Sequence, residues 1–103
     1  MDQNEAFSLV RRYLEFLREK KYNIVNAYIF GSYAKGDFNE DSDIDIAIIL
    51  NKMKDRFDMQ VELMKLRRKF DLRIEPHPFT KKDLTELNPF IKEVLDTGIE
   101  IKE

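Results

Sequence analysis

Apolar and polar positions change period along this chain, and each change marks an element. From Asn4 to about Lys20, Ala6, Phe7, Leu9, Val10, Tyr13, Leu14, Phe16 and Leu17 recur at helical spacing. Arg11, Arg12, Glu15, Arg18 and Glu19 fill the opposite face, so the stretch predicts a helix laid over one side of a sheet. Ile24 to Phe30 reads as a strand, with polar Asn26 marking an imperfectly buried face. Ser42 to Leu50 holds an apolar, β-branched run bounded by polar turn residues, the pattern of a buried strand. Met53 to Phe70 predicts a second long helix with Phe57, Val61 and Met64 in one apolar row. Met59, Leu63, Leu66 and Phe70 form the next row.

The rest of the chain is shorter in period. Asp71 to Glu75 alternates as a strand, with Leu72 and Ile74 on one face and Asp71, Arg73 and Glu75 on the other. Pro76 is expected to stop it. Thr80-Lys81-Lys82-Asp83 has the form of a capping box opening a short helix toward Leu87. Asn88-Pro89 sets a cap before a first-turn proline, predicting a helix to Thr97 that Gly98 ends. Ile99 to Ile101 alternates again, as a last strand at a sheet edge would. This order describes an α/β (α+β) fold, a small mixed sheet with helices packed mainly on one face.

Composition narrows the reading. A chain of 103 residues makes one domain, residues 1–103, with one modest core. No cysteine is present, which excludes disulfides, thiol catalysis and cysteine–metal sites. No apolar span of roughly 20 residues and no signal-peptide pattern occurs, so a cytoplasmic protein without membrane contact is expected. A net charge of -2 provides no global basic field, and direct nucleic-acid binding is not expected. Charge is uneven locally. Residues 31–50 carry Lys35 against Asp37, Glu40, Asp41, Asp43 and Asp45, whereas a basic helix follows. Its densest cluster, Arg67-Arg68-Lys69, reads as a solvated helix end ahead of a partner-binding patch.

The acidic cluster carries the chemistry. Asp43 and Asp45 lie two apart at the start of a strand, so their side chains point the same way. Paired carboxylates repel unless a cation lies between them, and magnesium suits such oxygen ligands. Upstream, Gly31-Ser32 follows another strand, where glycine lets backbone amides approach a phosphate and serine adds a donor. Ser32 to Lys35 predicts a short helix, and Lys35 is either a phosphate ligand or a solvated loop lysine. A phosphate grip beside a metal-ready carboxylate pair is the layout of phosphoryl or nucleotidyl transfer. Asp37, Asn39, Asp41 and Asp43 alternate like a calcium loop, but its sixth and twelfth places hold Ser42 and Ile48 where glycine and glutamate are needed. His77, the single histidine, lies between Pro76 and Pro78 in an expected loop. It cannot form a histidine-rich metal site, and no catalytic role is expected of it beyond contact with a nucleotide.

Gly31-Ser32, Lys35-Gly36 and Ser42-Asp43-Ile44-Asp45 resemble the signature of the DNA polymerase β-type nucleotidyltransferase superfamily. The small size further resembles its minimal nucleotidyltransferase (MNT) domains, often antitoxin partners of helical HEPN-domain toxins. The resemblance covers the central third closely, and Lys35 stands where arginine is frequent. It implies a third carboxylate on a strand beside the aspartate pair, with Glu75 the choice and Asp71 its rival. It implies two magnesium ions held by Asp43, Asp45 and Glu75, with the triphosphate of ATP gripped by Gly31, Ser32 and Lys35. The implied reaction moves AMP onto a tyrosine hydroxyl of a HEPN-type toxin within a hetero-oligomer. Two alternatives stand beside it: a module that neutralises a partner by covering it, and transfer to a small molecule or an RNA end. The sheet face bearing Gly31, Ser32, Asp43, Asp45 and Glu75 would then be an open cleft.

Overall fold

A computed structural model describes residues 1–85 and 88–102. The chain runs through α1 (Gln3–Glu19), β1 (Ile24–Phe30), α2 (Ser32–Lys35), β2 (Ile44–Leu50), α3 (Arg56–Leu66), β3 (Ile74–Thr80), α4 (Pro89–Thr97) and β4 (Ile99–Glu100). Two 3₁₀ turns, Arg67–Lys69 and Lys81–Thr85, follow α3 and β3. The sheet has the order β3-β2-β1-β4. The β1–β2 and β1–β4 pairs are antiparallel and the β2–β3 pair is parallel, because α3 carries the chain back between them. This is the mixed sheet expected from the sequence.

Alternation along the strands divides the core into two layers. Ala27, Ile29, Ile44, Ile46, Ile48 and Ile74 face α1 and α3, whose Val10, Tyr13, Leu14, Leu17 and Leu63 are buried against them. The buried Tyr13 hydroxyl donates to the Leu63 carbonyl at 2.7 Å and ties the two helices together. On the opposite face Phe30, Ala47, Ile49 and Phe79 pack under Ile91 and Val94 of α4. The second face is therefore half roofed by α4, where the sequence suggested an open cleft throughout.

Caps explain where the helices begin. Asp2 accepts from the Glu5 amide at the start of α1, and Asp55 accepts from the Asp58 amide at the start of α3. That second cap leaves Met53 and Lys54 outside the helix, which is shorter than the expected Met53 to Phe70 and ends in the 3₁₀ turn. Of its two apolar rows, Leu63 is buried and Met59, Leu66 and Phe70 pack on the core, whereas Phe57 is 72% exposed. Arg67 donates to the Ile74 carbonyl at 2.8 Å and Lys69 lies over the Phe16 ring, so two of the three basic residues have structural partners. The Thr80–Asp83 capping contact forms, with Asp83 accepting from the Thr80 amide and hydroxyl. It opens a 3₁₀ turn; the expected end at Leu87 lies outside the described residues.

The main correction concerns β3. The strand was expected over Asp71 to Glu75 with Pro76 as its stop; it runs from Ile74 to Thr80, through Pro76 and Pro78. Both prolines are tolerated because β3 is an edge strand. Glu75, His77 and Phe79 alternate with them, and the Pro76 carbonyl turns outward to accept from the Gln60 side chain at 3.0 Å. A proline nitrogen on that outer side forfeits no ladder hydrogen bond. His77 is consequently a strand residue, and Leu72, outside the strand, is 65% exposed.

Candidate active site

Gly31 ends β1 in a conformation with φ of +74°. A Cβ there would sit 2.5 Å from Asp45 Oδ2, so only glycine lets the turn into α2 lie against that carboxylate. Ser32 follows, half-buried, and its carbonyl accepts from the Gly36 and Asp37 amides. Lys35 does not reach the carboxylates. It pairs with Glu93 of α4 at 3.0 Å, and the Glu93 hydrogen bond and charge raise its pKa. The loop that follows is held by the Tyr33–Phe38 ring stack, the Ser42 hydroxyl accepting from the Asn39 amide, and Arg73 reaching the Glu40 carbonyl. It delivers Asp43, exposed, one residue before β2.

The parallel register of β2 and β3 pairs Asp45 with Glu75 and Ala47 with His77. Side-chain alternation puts Asp45, Glu75 and His77 on the face that α4 half covers. Asp43 lies close enough to Glu75 to act on its carboxyl group. The Glu75 pKa is raised, first by burial, then by the neighbouring Asp43 carboxyl and the Asp45 charge, with His77 opposing. Asp71 lies apart from this group. It holds the Arg73 guanidinium with both oxygens, at 3.0 and 2.8 Å, and that pairing lowers its pKa. Of the two rivals for a third carboxylate, Glu75 is the one beside the aspartates.

His77 is the member of the group that the sequence reading placed in a loop rather than beside the carboxylates. Its Nε2 lies 3.3 Å from Asp45 Oδ1 and 3.9 Å from Glu75 Oε1. Phe30 and Phe90 flank the imidazole, each with its ring centroid 5.3 Å away. A signal was available: Glu75, His77 and Phe79 alternate, and the intervening prolines hide the strand only if a central strand is assumed. A cavity of about 280 Å³ lined by Arg56, Gln60, His77 and Phe90 opens beside the ring.

The donor set tests what the group could hold. Asp45, Glu75 and His77 each offer a ligand atom, all within 4.8 Å of one another. With Asp43 close to Glu75, three carboxylates crowd one spot, a repulsive arrangement that a divalent cation relieves. Their oxygens suit magnesium or manganese, so the residues fit such an ion.

Comparison with known families then decides the class. The model of the nucleotidyltransferase domain matches residues 10–101. The chain belongs to that family. Comparison with curated protein sequences gives no match. Among solved structures, the fold of this nucleotidyltransferase domain is similar to that of a provisionally assigned nucleotidyltransferase from Sulfolobus solfataricus. The TM-score is 0.68 at 22% identity, over 95% of this chain and 80% of the other. It is also similar to a mutant of the toxin–antitoxin complex MntA-HpeT, with a TM-score of 0.62 at 24% identity over 89% and 70% of the two chains. A toxin–antitoxin structure with AMP-PNP gives 0.55 at 20% identity, over 99% and 73%. At these identities the likeness is one of fold. Among the described residues no helix is long and apolar enough to cross a membrane.

Proposed function

We propose that this nucleotidyltransferase moves AMP from ATP onto a hydroxyl of a partner protein. In this reading the acceptor is a tyrosine of a HEPN-type toxin, and the chain is its antitoxin. The observation that carries the reading is the pairing of Asp45 with Glu75 across β2 and β3, with Asp43 close to Glu75 and Gly31 against Asp45. The toxin–antitoxin neighbours, one of them with AMP-PNP, support a nucleotide and a protein partner.

Asp43, Asp45 and Glu75 are the residues that would hold magnesium, two ions in the full site. Bound there, magnesium would neutralise charge on the triphosphate and acidify the acceptor hydroxyl. Gly31, without a side chain, leaves the approach to Asp45 clear for the terminal phosphates. The Ser32 hydroxyl has no hydrogen-bond partner among the described residues and is free to donate to them. Lys35 is exposed enough to exchange Glu93 for a phosphate oxygen, acting as a point charge. The acceptor oxygen attacks the α-phosphorus, the bond to the bridging oxygen breaks, pyrophosphate leaves, and the hydroxyl proton passes to solvent. The chain's part is positioning and electrostatics.

The test uses ATP labelled either at the α- or at the γ-phosphorus. Label from the α-position alone should enter the partner protein, with pyrophosphate released. Label from the γ-position would mean phosphoryl transfer and refute the reading.

A further inference from the structure

Outside the carboxylates, the best-defined polar group near the site is the His77 imidazole. Its side chain is 13% exposed, and Phe30 and Phe90 hold the ring from two directions. Opposite it in register is Ala47, whose methyl leaves the ring room to lean toward Asp45. Nε2 is thus aimed between Asp45 Oδ1 and Glu75 Oε1, at 3.3 and 3.9 Å. Adjacent ligand atoms around an ion with bonds of about 2.1 Å stand about 3 Å apart, and opposite ones about 4.2 Å. Both nitrogen–oxygen distances, 3.3 and 3.9 Å, fall between those limits, and the three residues offer ligand atoms within 4.8 Å of one another.

We propose that His77 is a direct ligand, through Nε2, of a divalent ion shared with Asp45 and Glu75, and that this nitrogen biases the site toward manganese over magnesium. Magnesium binds imidazole poorly and favours all-oxygen shells, whereas manganese, though the weakest nitrogen binder of the first-row divalent ions, takes an imidazole beside carboxylates more readily than magnesium does. The aromatic flanks serve the same end, because a ring fixed before the ion arrives loses little freedom on binding it. The inference rests on reading Asp45 and Glu75 as ion-holding carboxylates. It does not depend on which group is transferred.

The test exploits the fact that His77 is the chain's single histidine. Tag-free protein is titrated with Mn²⁺ alone, without nucleotide, and the bound ion is examined by pulsed electron paramagnetic resonance for coupling to an imidazole ¹⁴N. Any such coupling in the wild type belongs to His77, so the result does not require a variant to fold. The expected result is an imidazole ¹⁴N coupling and Mn²⁺ bound about tenfold more tightly than Mg²⁺. His77→Phe, which keeps the ring packing, and His77→Gln should lose the coupling and most of that preference. Failure of Mn²⁺ to bind, or binding without ¹⁴N coupling, overturns the proposal and leaves His77 as a neighbour that orients Asp45. Coupling in a protein that transfers no nucleotide would uphold it while refuting the transfer reaction.

Discussion

Asp45 and Glu75 are register partners on the parallel strands β2 and β3, so two carboxylates leave adjacent backbones on the same face of the sheet. Like charges directly opposite each other destabilise a sheet. The Glu75 pKa is raised, first by burial and then by the neighbouring Asp43 and Asp45 carboxyl groups. Asp43, one residue before β2, and Gly31, against Asp45, complete this acidic group.

That relationship fixes a pH dependence. A carboxyl whose folded pKa lies above its ordinary value of 4.5 stabilises the fold while protonated. The contribution of Glu75 is complete below that value and is lost as pH rises through the folded pKa. Without divalent ions, Glu75→Gln should therefore melt about 1 to 3 °C above wild type at neutral pH, a small gain because the group is partly solvated. Millimolar magnesium should stabilise wild type more than the variant. Thermal melts from pH 4 to 8, with and without the ion, check both statements.

Gly31→Ala should injure fold and site together. The added Cβ would meet Asp45 Oδ2, and alanine is strained at a φ of +74°. A loss of about 1 to 3 kcal/mol is expected in urea unfolding. Divalent-ion affinity should fall with it, since Asp45 has to move aside. Gly36→Ala separates the two effects, because φ is +84° there while nothing stands within 4 Å of a new Cβ. It should lose stability and keep ion affinity.

Tyr13→Phe removes the hydroxyl that α1 donates to the Leu63 carbonyl in α3. A buried bond of this kind contributes about 0.5 to 1.5 kcal/mol, which chemical denaturation would resolve. Activity should be unchanged, as the contact lies on the sheet face opposite the carboxylates.

Lys35→Met tests the phosphate contact apart from the fold. The Lys35–Glu93 pair is exposed, so the melting temperature should not move. If Lys35 meets the triphosphate, KM for ATP should rise about tenfold in steady-state assays while kcat changes less.

Much of this was legible in the residues because local and tertiary signals agree there. The wide apolar stripe of α1, the β-branched run of β2 and the Asn88-Pro89 start of α4 each became the expected element. Asp55 was a readable cap that would have shortened α3 correctly. Pro76 misled because its meaning depends on whether the strand is central or at an edge, which is a property of the sheet rather than of the segment. That same misreading sent His77 into a loop and hid its place beside Asp45. Lys35 could not be settled locally either, since its partner Glu93 lies on α4, 58 residues further along. The choice between Asp71 and Glu75 needed the β2–β3 register and the Asp71–Arg73 pair.

The most direct test of nucleotidyl transfer is intact-mass spectrometry on the product of the neighbouring gene after incubation with this protein, ATP and magnesium. Wild type should add one or more adenylyl increments to that partner. Asp43→Asn and Asp45→Asn, singly or together, should reduce the rate at least about 10²- to 10³-fold while remaining folded. A stable complex without added mass, or unchanged transfer by either variant, would contradict the account and leave a module that acts by covering its partner or by different residues.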